Sequence, residues 1–159
     1  MNLNTAKDAL QRLGYGLYVV GTRHGENAVA VVANWVTQVS FRPLMMAAAM
    51  ELESKMRTYI ERAAYFSVNV LPAGGTTIAR DFLKGPEGGA GKVGGRNYQL
   101  SLHGMPFLND AAAAIECRID SSVQQGDHIV FFGEVTDARI FSAGTGVLTL
   151  QETGWKYSK

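Results

Sequence analysis

Ala33-Asn34-Trp35-Val36-Thr37-Gln38-Val39-Ser40-Phe41, then Arg42 and the run Pro43-Leu44-Met45-Met46-Ala47-Ala48-Ala49-Met50, is the stretch on which the fold turns. The second half is continuously apolar and of strand length, which reads as a buried strand; residues 39–41 read as a strand entering it. Between the apolar residues stand two amides, an indole and two hydroxyls. Packing alone has no use for such polarity in an apolar setting, because each buried polar group needs a partner. A flat heteroaromatic ligand with several donors and acceptors would supply those partners.

Upstream, residues 28–33 and the strand beginning Leu17-Tyr18-Val19-Val20 flank the turn chemistry of His24-Gly25-Glu26-Asn27. Residues 4–13, with Leu3, Ala6, Leu10 and Leu13 at helical spacing and Asn4 or Thr5 to cap, predict a short amphipathic helix broken by Gly14-Tyr15-Gly16. Downstream, Ser54 caps a second helix with Met56, Tyr59, Ile60 and Ala63 on its apolar side. Phe66, Val68 and Val70 alternate through a strand over 65–71 that stops at Pro72. Residues 76–83 predict a third short helix, and 111–120, 128–141 and 147–151 three more strands. Strands and helices do not alternate regularly, which argues against a doubly wound parallel sheet. The pattern is mainly β, and a closed antiparallel barrel with a few short helices is the expected architecture.

The 159 residues, 47% hydrophobic and 18% charged, suffice for a single domain over 1–159 with a proper core. A net charge of +1 implies no field-driven nucleic-acid partner. No apolar run approaches the roughly 20 residues of a membrane span. The N-terminus, with Lys7 and Asp8 in a helical pattern, does not read as a signal peptide. A soluble cytoplasmic protein is expected.

The catalytic inventory is sparse. Cys117, in the alternating Ile115-Glu116-Cys117-Arg118-Ile119, reads as a small buried apolar group. There is no Gly-x-Ser-x-Gly elbow. His24, His103 and His128 are dispersed, without metal-ligand spacing, so no metal site is expected. His24 and His103 adjoin glycines and read as exposed turn residues. His128 follows Gly126-Asp127 where a loop enters the apolar Ile129-Val130-Phe131-Phe132; it either reaches a pocket or is structural. Glycine, at 18 residues, concentrates between Gly74 and Gly95. Residues 85–95 lack both the GxxxxGK[ST] and the strand-GxGxxG-helix context, and read as a surface loop. Lys84, Lys92 and Arg96 would make it a cationic flap over an anionic ligand. At the second helix, Glu53-Ser54-Lys55-Met56-Arg57 offers free N–H groups, a hydroxyl and two cations, a ready anion site. A polar-ring site and a phosphate site together describe a mononucleotide cofactor.

The chain resembles the flavin reductase-like family, whose members fold as the FMN-binding split barrel. The resemblance runs through Leu17-Tyr18-Val19-Val20-Gly21-Thr22, Trp35-Val36-Thr37-Gln38-Val39-Ser40-Phe41 with Pro43, and Phe66-Ser67-Val68-Asn69-Val70-Leu71. It continues through Gly104-Met105-Pro106-Phe107-Leu108, Glu116-Cys117, Gly126-Asp127-His128-Ile129 and Gly133-Glu134-Val135. The resemblance implies FMN, with FAD as an alternative, and NAD(P)H as electron donor. Asn34, Trp35, Val36, Thr37, Gln38 and Ser40 would line the isoalloxazine, and Ser54 and Lys55 would hold the phosphate. Met56 stands where the family commonly has a second hydroxyl, a place Lys55, Arg57 or Thr58 could fill. His128 would lie near the nicotinamide. The lysine-aromatic pair often found after the third helix is replaced by Lys92-Val93. A homodimer is implied, acting as an NAD(P)H:flavin oxidoreductase that passes electrons to free flavin or ferric iron. The alternatives are an electron carrier fed by a redox protein partner and a non-catalytic flavin- or haem-binding barrel.

Overall fold

The computed structural model describes residues 1–86, 88–89 and 91–157. Helix α1 (Leu3–Leu10) is capped by the Asn2 side chain, two residues before the first of the expected caps, Asn4 and Thr5, and has no buried residue. Strands β1 (Tyr18–His24) and β2 (Asn27–Ala33) form a hairpin, as do β3 (Val36–Phe41) and β4 (Leu44–Glu51), whose turn contains a cis Arg42–Pro43 peptide. Helix α2 (Lys55–Ala63) leads into β5 (Tyr65–Val70), and α3 (Thr76–Arg80) follows. Two small hairpins come next, β6 (Gly88–Gly89) with β7 (Lys92–Val93) and β8 (Tyr98–Leu100) with β9 (Pro106–Leu108). The long pair β10 (Ala113–Gln125) and β11 (His128–Ile140) and the short helix α4 (Leu150–Thr153) complete the chain.

Seven strands form one antiparallel sheet in the order β2-β1-β5-β10-β11-β4-β3. Its two flanks, β2 and β3, do not pair with each other. The expected closure by hydrogen bonding is therefore not what holds the barrel. The sheet curls because both faces are buried. Val20 and Val29 point into a cluster with Met50, Phe66, Val68 and Phe131, and α2 plugs it with Met56 and Ile60. Val19, Ala28 and Ala30, the intervening residues, point into a second cluster with Leu71, Phe82, Val93, Leu108 and Leu148. Met56 and Ile60 are fully buried, each worth about 2–3 kcal/mol of transfer free energy.

Five expected elements differ. Helix α1 ends at Leu10 instead of Leu13, and β3 begins at Val36, three residues before the expected start. Residues 147–151 are not a strand. Val147 and Thr149 make isolated bridges to Pro72 and Gly16, and Thr149 then caps α4 through its hydroxyl. The third helix stops at Arg80, three residues early. Strand β10 runs five residues past Asp120, because pairing with β11 carries a polar, exposed tail that has no alternation of its own.

Candidate functional site

The backbone brings four elements to one end of the sheet. Ala49 N–H donates to the Trp35 carbonyl (3.0 Å), which sets the start of β3 beside the end of β4. His128 sits opposite Glu51 in the β11–β4 register, and Leu52 N–H donates to the Asp127 carbonyl (3.0 Å). Ser54, the α2 cap, follows two residues later. The start of β3, the end of β4, the start of α2 and the start of β11 therefore meet.

Asn34, one residue before Trp35, is buried, and among the described residues its amide Nδ2 has no hydrogen-bond partner. An unmet buried amide costs about 1–3 kcal/mol, so an acceptor that reached Asn34 would be held there, although Asn34 does not itself line the cavity beside Trp35. The next residue, Trp35, lays its indole 4.6 Å from the His128 ring at 47°. His128 Nδ1 lies 2.6 Å from Asp127 Oδ1, which fixes the ring and leaves Nε2 facing the Tyr157 hydroxyl at 3.4 Å. Tyr157 donates to Glu51 Oε1 (3.1 Å) and packs edge-on against Trp35 at 5.3 Å. Burial, then the charge and hydrogen bond of Glu51 and the charge of Asp127, push the Tyr157 phenol up to about 12, so it stays a neutral donor. Trp35, His128 and Tyr157, with Tyr18 and the inner face of α1, line a cavity of about 1000 Å³.

The remaining expected site residues lie around this centre. Val36 is half-buried and packs on the core. Thr37 and Gln38 are exposed and bond locally, Thr37 to the Gln38 carbonyl and Gln38 to the Ser40 carbonyl (both 3.2 Å). Ser40 pairs with Met45, at the far end of β4 from Glu51. Ser54 Oγ accepts from Met56 N–H (3.1 Å), and Lys55 is exposed. Arg57 is committed to the Leu52 carbonyl (3.3 Å) and Glu61 (2.9 Å), and Thr58 is half-buried beside it. Ser54 and Lys55 adjoin the Asp127 loop without lining the cavity. Met56 faces the core.

The flap needs correcting. Arg96 is held by Asp81 (2.8 Å) and Asp110 (2.7 Å) and fastens the loop down instead of waiting for a ligand. Lys84 and Lys92 are exposed; Glu87 and Ala90 of the 85–95 segment lie outside the described residues. Cys117 is fully buried, and burial together with the Glu116 charge pushes its thiol up to about 12. Among the described residues no group of His, Cys, Asp or Glu could hold a metal ion, and no helix is long and apolar enough to cross a membrane.

Sequence reasoning missed Glu51 and Tyr157 around His128, and noted Asp127 without giving it a role. The available signal was the pair of aromatics, Trp155 and Tyr157, just after a Gly154 helix stop.

Residues 10–156 match the model of the flavin reductase like domain, and the chain belongs to that family. It is similar to diflavin flavoprotein A 1 of Synechocystis sp., at 32% identity over 136 residues, covering 85% of this chain and 24% of that protein. It is also similar to the high molecular weight rubredoxin of Moorella thermoacetica, at 32% identity over 147 residues, covering 86% and 60%. The chain thus spans about a quarter of the one relative and three-fifths of the other. Among solved structures, flavin reductase PheA2 superposes with a TM-score of 0.81 at 26% identity, covering 94% and 93% of the two chains. The NADH:FAD oxidoreductase SgcE6 of Streptomyces globisporus shares the fold, with a TM-score of 0.82 at 24% identity and 96% and 90% covered.

Proposed function

We propose that this chain is a flavin-binding oxidoreductase domain that uses NAD(P)H to reduce FMN, or FAD in its place, and passes the electrons to free flavin or a small acceptor such as ferric iron. The observation that carries the reading is the Trp35–His128 ring wall, with the buried Asn34 amide, partnerless among the described residues, one position before it in the chain. A planar group rich in acceptors fits that donor set. When bound, the flavin ring supplies the redox chemistry, taking hydride from a nicotinamide at N5. The chain's own residues bind, orient and exclude water. Asn34 would donate to the ring edge, and Trp35 and His128 would form the wall against which a donor is stacked. Asp127 keeps His128 in one orientation, and Tyr157 closes the cavity from the C-terminal side. Val36, Thr37, Gln38 and Ser40 continue β3 away from that wall, and would meet the ring only where the flavin extends along the strand. Ser54 and Lys55, with Arg57 and Thr58 behind them, are the phosphate end. No side-chain nucleophile is needed, in keeping with the inert Cys117.

A second reading, an electron carrier fed by a redox protein, is favoured by one observation: the matched relatives are longer proteins of which this domain is a part. We further propose a homodimer, supported by the exposed Val39, Phe41 and Leu44 around the β3–β4 turn.

The first test is flavin content and its reduction by NADH or NADPH. Bound flavin that either nicotinamide reduces supports the enzyme, and bound flavin that neither reduces supports the carrier. Purified protein that takes up no flavin overturns both. For the phosphate end, Lys55→Ala alone, and with Ser54→Ala, should weaken FMN by about 10- to 100-fold while leaving riboflavin nearly unchanged. Equal losses for both ligands would remove these residues from the phosphate.

A further inference from the structure

A second cleft, of about 580 Å³, opens at the other end of α2, where the β1–β2 turn meets the segment before β9. Its walls carry two imidazole–phenol stacks. His24 lies on Tyr59 at 4.3 Å and 19°, and His103 lies on Tyr65 at 4.5 Å and 18°. Both histidines are exposed, so each stack presents an open face.

His103 is held from behind. Its Nδ1 lies 2.7 Å from Glu116 Oε1, and its backbone N–H donates to Glu116 Oε2 (2.9 Å). Glu116 is fully buried and also accepts from Ser101 and from Thr136 (2.7 Å). Burial would raise this carboxyl; hydrogen bonds from Ser101, Thr136 and His103 outweigh it and keep the group ionised. With Nδ1 bound to the carboxylate, Nε2 is the nitrogen left to the cleft.

Two guanidiniums complete the cleft. Arg23, half-buried, lies across Gly104, whose positive φ of 83° favours glycine and where a Cβ would come within 2.7 Å of the guanidinium Nη1. Arg62 projects from the last turn of α2. Among the described residues neither has an acidic partner, whereas Arg57, Arg96, Arg118 and Arg139 all do. Two uncompensated guanidiniums in one cleft call for an anion, and guanidinium matches phosphate geometry. Two parallel ring stacks call for a flat ring, because arginine and aromatic faces both prefer one.

We propose that this cleft binds a purine mononucleotide, its phosphate between Arg23 and Arg62 and its base against the His24–Tyr59 and Tyr65–His103 stacks. The volume suits a ligand of that size. The cleft shares no lining residue with the cavity at Trp35 and His128, so the proposal stands apart from the flavin reading.

The test is calorimetric titration of the FMN-loaded protein with AMP, ribose 5-phosphate, adenosine and inorganic phosphate, with flavin absorbance followed in parallel. AMP should bind more tightly than any of the three fragments, with flavin retained. Arg62→Ala, an exposed change that leaves the core intact, should weaken AMP about tenfold or more, and His24→Ala severalfold. AMP binding no tighter than phosphate would overturn the ring half of the proposal. No binding at about 10 mM, indifference to Arg62→Ala, or release of FMN by AMP would each overturn it outright.

Discussion

Glu116 and Cys117 are neighbours on β10, so their side chains leave opposite faces of the sheet, and their surroundings give them opposite chemistry. Cys117 enters the core cluster with Phe66 and Phe131, where burial and the adjacent carboxylate push its thiol up to about 12. At pH 8 the thiolate is then about one part in ten thousand. The native protein should therefore be silent to a disulfide thiol reagent for hours, and release one equivalent per chain in guanidinium; rapid native reaction would contradict this placement. Glu116 faces the β8–β9 side, where its hydrogen bonds hold the carboxyl below the ordinary range. A carboxyl depressed in the folded state stabilises the fold above its unfolded value of about 4.3, and that share is lost as pH falls through the folded value. Glu116→Gln should lower stability at pH 7 by about 1–3 kcal/mol, measured by denaturant unfolding. The gap from wild type should narrow as pH drops below about 4.

At the scale of elements, close approach governs the β10–β11 pair. Gly133 sits opposite Ile119, and a Cβ there would meet Cys117 Cβ at 2.7 Å and Phe66 Cε1 at 2.9 Å. Gly133→Ala should cost about 1–3 kcal/mol by overpacking and lower Tm by roughly 3–10 °C in calorimetry. Phe66→Leu in the same chain should return part of that loss, which a general weakening of the strand would not. Elements with a local signature were legible in the sequence. Ser54 announced α2, Phe66 and Val68 alternate into β5, and His24 to Asn27 marked the first hairpin. Elements held by distant partners were not legible. The tail of β10 is polar and irregular, and two register shifts bend it, so only β11 keeps it a strand. Residues 147–151 are β-prone in sequence, but Leu148 is captured as a plug of the second cluster and the chain turns into α4 instead. The site divided along the same line. The polarity of Asn34 and Trp35 stood out against an apolar run, and the aspartate before His128 was in plain view. The meeting of His128 with Glu51 and Tyr157 depends on a register and a chain end that no local pattern encodes.

For the molecule as a whole, an open seven-stranded sheet leaves two edges, and the chain treats them differently. The β2 edge is partly occupied: Val32 N–H donates to the Phe82 carbonyl (3.3 Å), and the β6–β7 hairpin packs alongside. The β3 edge has no such cover among the described residues. It carries Val39, exposed Phe41 at 80%, and Leu44 across the turn, a row of large apolar side chains on an unpaired strand. Exposed edges of this kind invite pairing with another chain unless something covers them. A second copy meeting this face would bury the row and also shield Thr37 and Gln38, which a single chain leaves in water. Phe41→Glu places a charge at the centre of that row. If the homodimer forms there, sedimentation should show the wild type as a dimer and the variant with a dissociation constant raised about 30-fold or more. The variant's circular dichroism should be unchanged, because Phe41 contributes nothing to either core cluster. Flavin retention in the variant should fall with protein concentration, in step with dissociation, since half of the shelter over the ring would come from the partner. A variant that stays dimeric would move the interface elsewhere, and one that becomes monomeric with flavin affinity intact would confine the cofactor to a single chain.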